Sequence, residues 1–337
     1  MQKINIAIIG ASGYTGLELV KLLLNHPIFE IAYLATSEGN TTIEHLHPAL
    51  KDVIEYKVNR VDFDAIVSKC ELAFLALPHK SAMEIAKELV KRDIKVVDLS
   101  ADYRLELENY EKAYCKHIDK ENLKNAAYGL IEYFRKDIKD AKITASPGCY
   151  PTATLLALLP FIPYIDTNFP IFVDAKSGVS GAGKKLTHTN SFVTINENIF
   201  AYNPLIHRHT PEIEEKIQKI YNKNVQVNFV PHLIPITRGE LVSIHALLKE
   251  DINPTDILKQ HYKNEKFIRI RNNPVNVKDV SGTHFCDIFA TKRENTLFIS
   301  SAIDNLLRGA ASQALAAANI MMDLDETLGL PVIAYVP

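Results

Sequence analysis

Residues 4–24 read INIAIIGASGYTGLELVKLLL, and this stretch decides the fold of the first half of the chain. INIAII is an apolar run of strand length, and LELVKLLLNH after it has the periodicity of an amphipathic helix ending at His26, since Pro27 disfavours helix in the residue before it. Between them Gly10, Gly13 and Gly16 stand at GxxGxxG spacing. Strand, glycine turn and helix in that order form the unit that cradles a dinucleotide pyrophosphate, whose charge is met by backbone N–H groups at a helix start. The same grammar continues outward. EIAYLAT reads as a second strand, ELAFLAL and IKVVDLS as further strands around the helix SAMEIAKELVKRD, and KITAS as a late strand entering the turn PGCYPT and the helix TATLLALL. Apolar strands alternating with amphipathic helices predict a Rossmann-type α/β domain with a parallel sheet.

Beyond about residue 165 the pattern changes. IFVDAKSG, VQVNFVPHL, ELVSIHALLK and the pair DIFATKREN and TLFISSAI are strand-like, the last pair an antiparallel hairpin turning at Glu294-Asn295. Helices are expected near 211–221 and 254–263. This half reads as an α+β domain on a mostly antiparallel sheet. The small-residue helix LLRGAASQALAAANIMM is expected to return to the first domain, which gives a dinucleotide-binding domain of residues 1–148 and 305–337 and a second domain of 149–304.

A formal charge of -2 over 337 residues offers no basic field for nucleic acid or anionic membrane. No leader pattern precedes KINIAIIG, and the apolar stretch TATLLALLPFIPYI is short for a membrane span and broken by two prolines. Cys70, Cys115, Cys149 and Cys286 show neither CxxC nor a framework spacing, so reduced thiols in a cytoplasmic protein are expected.

Cys149 lies between a predicted strand and a predicted helix, in SPGCYPT. Helix-start N–H groups favour an anion there, so its thiol is expected to ionise readily and act as a nucleophile. The other three cysteines read as small buried hydrophobes. His207 and His209 in HRHTPEI precede the helix start at Pro211-Glu212, and a histidine with a carboxylate partner suits proton transfer near neutral pH. No third ligand follows at metal spacing, so no metal site is expected. At the end of the second strand Thr36 and Ser37 offer hydroxyls where NAD-binding units carry an acid, which favours NADP(H).

GASGYTG, LPHKSAMEIA, DLSADYRL, YGL, SPGCYPTA, SGVSGAGK, HRHTPEI, VPHLIPITRGEL and NLLRGAASQA follow one another in the order found in the N-acetyl-gamma-glutamyl-phosphate reductases, relatives of aspartate-semialdehyde dehydrogenase, and the chain resembles them over nearly its whole length. The resemblance implies an NADPH-dependent reduction of an acyl phosphate to a semialdehyde in arginine biosynthesis, through a thioester on Cys149. It also implies a pyrophosphate loop of Gly10, Ser12, Gly13, Tyr14, Thr15 and Gly16, with Thr36 and Ser37 near the ribose phosphate and Asn305 near the nicotinamide. His209, supported by Glu212, is expected as acid/base, with His207 second. Arg104 and Lys184, with Lys185 beside it, are the cations expected for the substrate phosphate. A homo-oligomer, a small-molecule substrate and no nucleic-acid or membrane partner go with that assignment. The loop after Ser37, EGNTTIE, departs from the family in lacking a basic residue. The competing readings are a carrier-linked aminoadipyl phosphate reductase and a non-catalytic nucleotide sensor.

Overall fold

The computed structural model describes residues 3–336 and divides into two compact units. Met1–Pro147 with Ala310–Pro331 form the first, Gly148–Gly309 with Val332–Pro337 the second. The second boundary falls at Gly309, four residues beyond Asn305, and the last residues, from Val332, go with the second unit.

The first unit is built on eight strands: β1 (Ile4–Ile9), β2 (Phe29–Ala35), β3 (Thr41–Thr42), β4 (Lys57–Asn59), β5 (Leu72–Leu75), β6 (Lys95–Asp98), β7 (Ala127–Tyr128) and β8 (Ile143–Ala145). They lie in the order β3-β4-β2-β1-β5-β6-β8-β7. All neighbours are parallel except β3 and β4, an antiparallel edge that the sequence pattern does not signal. Central strands covered on both faces must be apolar throughout, and Ile6 to Ile9 and Leu72 to Leu75 are fully buried. From β1 the chain runs to β2 on one side and β5 on the other, so the sheet switches direction at the carboxyl end of β1. Such a switch point opens a crevice for a ligand, and Gly10 begins there.

The helix after the glycine turn spans Tyr14–Leu24, two residues short of the position set by Pro27. Ser81–Lys91 forms the next long helix, as its pattern predicts. The Ala-rich segment near the C-terminus is not one continuous helix. Leu307–Ala311 is a π-turn, and the α-helix proper is Ser312–Met321, packed on the helix Ile131–Asp140 and on β6. Asp304 sets the π-turn: its carbonyl accepts the Gly309 N–H at 2.9 Å, and its side chain accepts the N–H groups of Leu306 and Leu307 at 2.9 and 3.0 Å.

The second unit holds β9 (Ile171–Gly178), β10 (Phe200–Ala201), β11 (Val227–Ile234), β12 (Glu240–Leu247), β13 (Ile268–Ile270), β14 (Cys286–Arg293) and β15 (Thr296–Ile303), in the order β10-β11-β9-β12-β15-β14-β13. The pairs β9–β11 and β13–β14 are parallel, and the remaining neighbours are antiparallel. The hairpin β14–β15 turns at Glu294 with φ of 53°, as its sequence predicts. One face of the sheet is covered: Cys149–Leu158 packs on β12 and β15, Thr210–Tyr221 on β11, and Pro254–His261 on β14. Strand alternation puts Glu240, Val242, Ile244 and Ala246 on that covered face, all of them buried. The opposite face leaves Phe172 54% exposed.

Candidate active site

The chain leaves β8 through Ser146-Pro147-Gly148 and enters the helix at Cys149, its first residue. This helix has no apolar stripe, because Tyr150 to Leu158 are buried on every side. Only its N-terminus opens outward, and Cys149 there is half-buried. Gly309 packs against it: a Cβ at that glycine would stand 2.5 Å from the Cys149 Cβ. No side chain caps the helix, so the orphan donors of its first turn face the cysteine end.

His207 and His209 gather around Tyr150, the residue after the cysteine. Their ring centroids are 4.8 Å apart, and each lies 5.9 Å from the ring of Tyr150. Burial and then the Arg208 charge push the His207 imidazole down to about 4, so it is neutral near neutral pH. Its Nδ1 accepts the His209 backbone N–H at 3.3 Å, and Phe229 and Tyr202 flank its ring. His207 therefore orients the segment that carries His209, the residue preceding the helix Thr210–Tyr221. Glu212, expected to support His209, is buried, and its Oε1 accepts the Gly148 N–H at 3.1 Å. That bond fixes the entry of the cysteine helix. Tyr202 donates to the Tyr150 hydroxyl at 3.2 Å, and Tyr150 donates to the His232 carbonyl at 3.2 Å.

Two side chains near this cluster were missed in the sequence. Arg208, between the two histidines, is exposed and is the cation beside the site. Glu240 is fully buried, and its carboxyl meets the Cys149 side chain. Its signal was present, since ELVSIHAL places a charged residue in the buried phase of an alternating strand. Asn305 is buried: its Oδ1 accepts the Gly239 N–H at 2.7 Å and its Nδ2 donates to Ser180 at 3.0 Å. Lys184 and Lys185 are exposed on the loop beyond Gly183. Arg104 belongs to the first unit, where its guanidinium donates to the carbonyls of Ser146 at 2.7 Å and Leu99 at 2.9 Å. It thus secures the strand end leading to the cysteine turn.

In the first unit the glycine turn fits a pyrophosphate. Gly10 has φ of +100°, and a Cβ there would stand 2.2 Å from the Ala76 carbonyl oxygen. Over Gly13 the space is open, the nearest atom to an added Cβ being the Gly10 oxygen at 3.9 Å. Gly13 precedes the helix without a side-chain cap, and no acid occupies the first turn, so its N–H groups are available to an anion. Ser12 and Thr15 are half-buried in this turn and Tyr14 is exposed. Thr36 Oγ1 accepts the Gly39 N–H at 3.0 Å, and Ser37 is exposed beside it. Arg60 supplies the basic residue that the loop itself lacks. β4 pairs with β2, Ala35 opposite Asn59, so Arg60 follows next to Thr36, and its Nε donates to the Glu38 carbonyl at 2.9 Å. Only the sheet register reveals this neighbour.

Among the described residues no His, Cys, Asp and Glu side chains converge as metal ligands, and no helix is long and apolar enough to cross a membrane. Models of the semialdehyde dehydrogenase NAD-binding domain and dimerisation domain match residues 5–141 and 149–305. The chain is 64% identical over 334 residues to the N-acetyl-gamma-glutamyl-phosphate reductase of Sulfurovum sp. (strain NBC37-1), covering 99% of this chain and 100% of that one. It is 42% identical to the protein of the same name from Methanocaldococcus jannaschii, over 96% of this chain and 97% of that one. Among solved structures it resembles aspartate semialdehyde dehydrogenase II from Vibrio cholerae, with a TM-score of 0.75 at 18% identity over 96% of this chain and 99% of that one. It also resembles aspartate semialdehyde dehydrogenase with NADP from Candida albicans, with a TM-score of 0.72 at 16% identity over 95% and 99%. A cysteine at a helix start, a paired-histidine segment and a dinucleotide turn are thus the parts of an oxidoreductase, and the chain belongs to the N-acetyl-gamma-glutamyl-phosphate reductase family of semialdehyde dehydrogenases.

Proposed function

We propose that this chain reduces N-acetyl-gamma-glutamyl phosphate to N-acetylglutamate 5-semialdehyde and phosphate with NADPH, in arginine biosynthesis, through a thioester on Cys149. The observation that carries it is Cys149 as first residue of a buried helix with His207 and His209 gathered at the same end. Sγ attacks the acyl carbon, the S–C bond forms, and the C–O bond to phosphate breaks with the electron pair leaving on phosphate. The covalent intermediate divides one difficult reduction into two easier steps. When bound, the nicotinamide would supply the hydride that reduces the thioester carbon. Helix-start N–H groups then hold the charged oxygen, each such donor being worth about 3–4 kcal/mol in the transition state. His209 holds a proton at that oxygen and releases it as the S–C bond breaks and the aldehyde forms. His207, neutral and turned to the backbone, keeps His209 in place. Arg208 is the cation we assign to the anionic groups of the substrate, with Lys184 secondary.

For the cofactor, Gly10 to Gly16 would hold the pyrophosphate, and Ser37, Thr36 and Arg60 would hold the 2′-phosphate that distinguishes NADP from NAD. None of the four cysteines forms a disulfide, which fits a reducing cytoplasm. The open face of the second sheet, with Phe172 exposed, fits a homo-oligomer formed through that face.

The reverse reaction tests this. Semialdehyde, phosphate and NADP should yield the reduced-nicotinamide absorbance band with wild type and not with Cys149→Ser. Undiminished signal in Cys149→Ser would overturn the thioester. In Arg60→Ala, NADPH binding followed by fluorescence should weaken about tenfold or more, as for a lost charge-assisted hydrogen bond, with NADH binding unchanged. Equal loss for both cofactors would remove Arg60 from the 2′-phosphate site.

A further inference from the structure

Resting on the thioester reading, we propose that Glu240 is a catalytic residue: once its carboxyl is ionised it takes the proton of the Cys149 thiol, and the two side chains share one proton in the reactive form of the enzyme. Glu240 opens β12, paired with Ser177 of β9 on one side and Ile303 of β15 on the other. It belongs to the strand face that the Cys149–Leu158 helix covers. The residue is 0% exposed, and among the described residues neither carboxyl oxygen has a hydrogen-bond partner of regular geometry. A buried carboxylate without a partner is costly, and such a group is retained where a proton can neutralise it. What its carboxyl meets is the thiol of Cys149.

The other titratable groups around the pair do not serve in its place. Tyr150 on the cysteine helix and Tyr202 are pushed well above the usual tyrosine range by burial, so neither gives a phenolate that could accept the proton. His207 is held at about 4 and is a poor acceptor near neutral pH. Glu212 is engaged with the Gly148 N–H, Arg208 carries a permanent charge, and His209 is the group assigned to the substrate oxygen. Burial pushes the Glu240 carboxyl up to about 8, near the working pH, the condition for an effective acid/base partner.

In the step this gives, the S–H bond breaks and its proton moves to a Glu240 oxygen, leaving the electron pair on Sγ. The S–C bond forms as phosphate leaves with the C–O pair. Glu240 stays protonated and neutral while the thioester is reduced. When the S–C bond later breaks, its pair returns to Sγ and the shared-proton state is restored, so no further reactant is needed.

The test is the pH dependence of Cys149 alkylation by iodoacetamide in the full-length enzyme, followed by mass spectrometry of the Cys149 peptide. Wild type should rise in two steps separated by a plateau, because a coupled pair loses its two protons separately. Glu240→Gln should rise in one step, and Glu240→Asp should keep two. The first-turnover burst of phosphate should slow about 10²-fold or more in Glu240→Gln. A one-step profile in wild type, or a Glu240→Gln profile lying on the wild-type one, overturns the proposal, and the wild-type curve decides even if a variant misfolds. Full turnover by Cys149→Ser would instead sink the thioester reading, and the proton sharing with it.

Discussion

A single missing methyl group at Gly309 lets the π-turn close onto the nucleophile. Alanine there would set its Cβ 2.5 Å from the Cys149 Cβ and 3.0 Å from its Cα, so the cysteine or the turn must shift. A displacement near 1 Å at a reacting atom costs about 10²-fold in rate. We therefore expect Gly309→Ala to lose about that factor in kcat, with NADPH binding unchanged, as steady-state kinetics and cofactor titration would show. Unaltered kcat would mean that the contact does not position the sulfur. At this scale the sequence made position legible where a local motif sets it, as for Cys149 at a helix start, His209 before a helix and the glycines in the turn after β1. It was opaque where a partner comes from elsewhere in the fold. Glu212 reads as a neighbour of His209 in the chain, but the bond it accepts from the Gly148 N–H, 64 residues away, cannot be read there. Arg60 and Glu240 are neighbours of the sites only through strand register.

At the scale of elements, long periodic segments were the readable ones: the helices at 14–24, 81–91 and 210–221 and the hairpin β14–β15 follow from apolar spacing and turn residues. The two-residue edge strand β3 carries no such period. The π-turn at 307–311 was hidden as well, because Asp304 creates it through bonds to Leu306, Leu307 and Gly309 that composition does not show. Strand β12 has a thermodynamic consequence. The Glu240 carboxyl lies near 4.5 in an unfolded chain and at about 8 in the fold, so over that window the folded state binds more protons. Its contribution to stability is complete below about pH 4.5 and is lost as pH rises through about 8, at a slope on the order of 1 kcal/mol per pH unit. His207 has the opposite sign: lowered to about 4, it contributes above about pH 6.5 and loses its contribution as pH falls through about 4. Urea midpoints measured between about pH 5 and pH 8 should fall less steeply in Glu240→Gln than in wild type. Parallel curves would show that Glu240 does not change its protonation on folding.

For the whole molecule, alternating strand and helix fixed the first unit, and the change of period near residue 165 marked the second as mixed. Its parallel pairs β9–β11 and β13–β14 could not be read, since pairing direction depends on where strands meet and not on their composition. The division of labour follows the same lines: dinucleotide turn and Arg60 in one unit, nucleophile, histidines and Glu240 in the other. The account as a whole stands on a covalent bond to one sulfur. Incubation with N-acetylglutamate semialdehyde and NADP, phosphate withheld, should trap it, because hydride removal forms the thioester while nothing is present to release it quickly. Mass spectrometry should then find one N-acetylglutamyl group on the peptide containing Cys149 and none on Cys149→Ser. Reduced cofactor formed at the wild-type rate by Cys149→Ser, or an acyl group on any other residue, would contradict it.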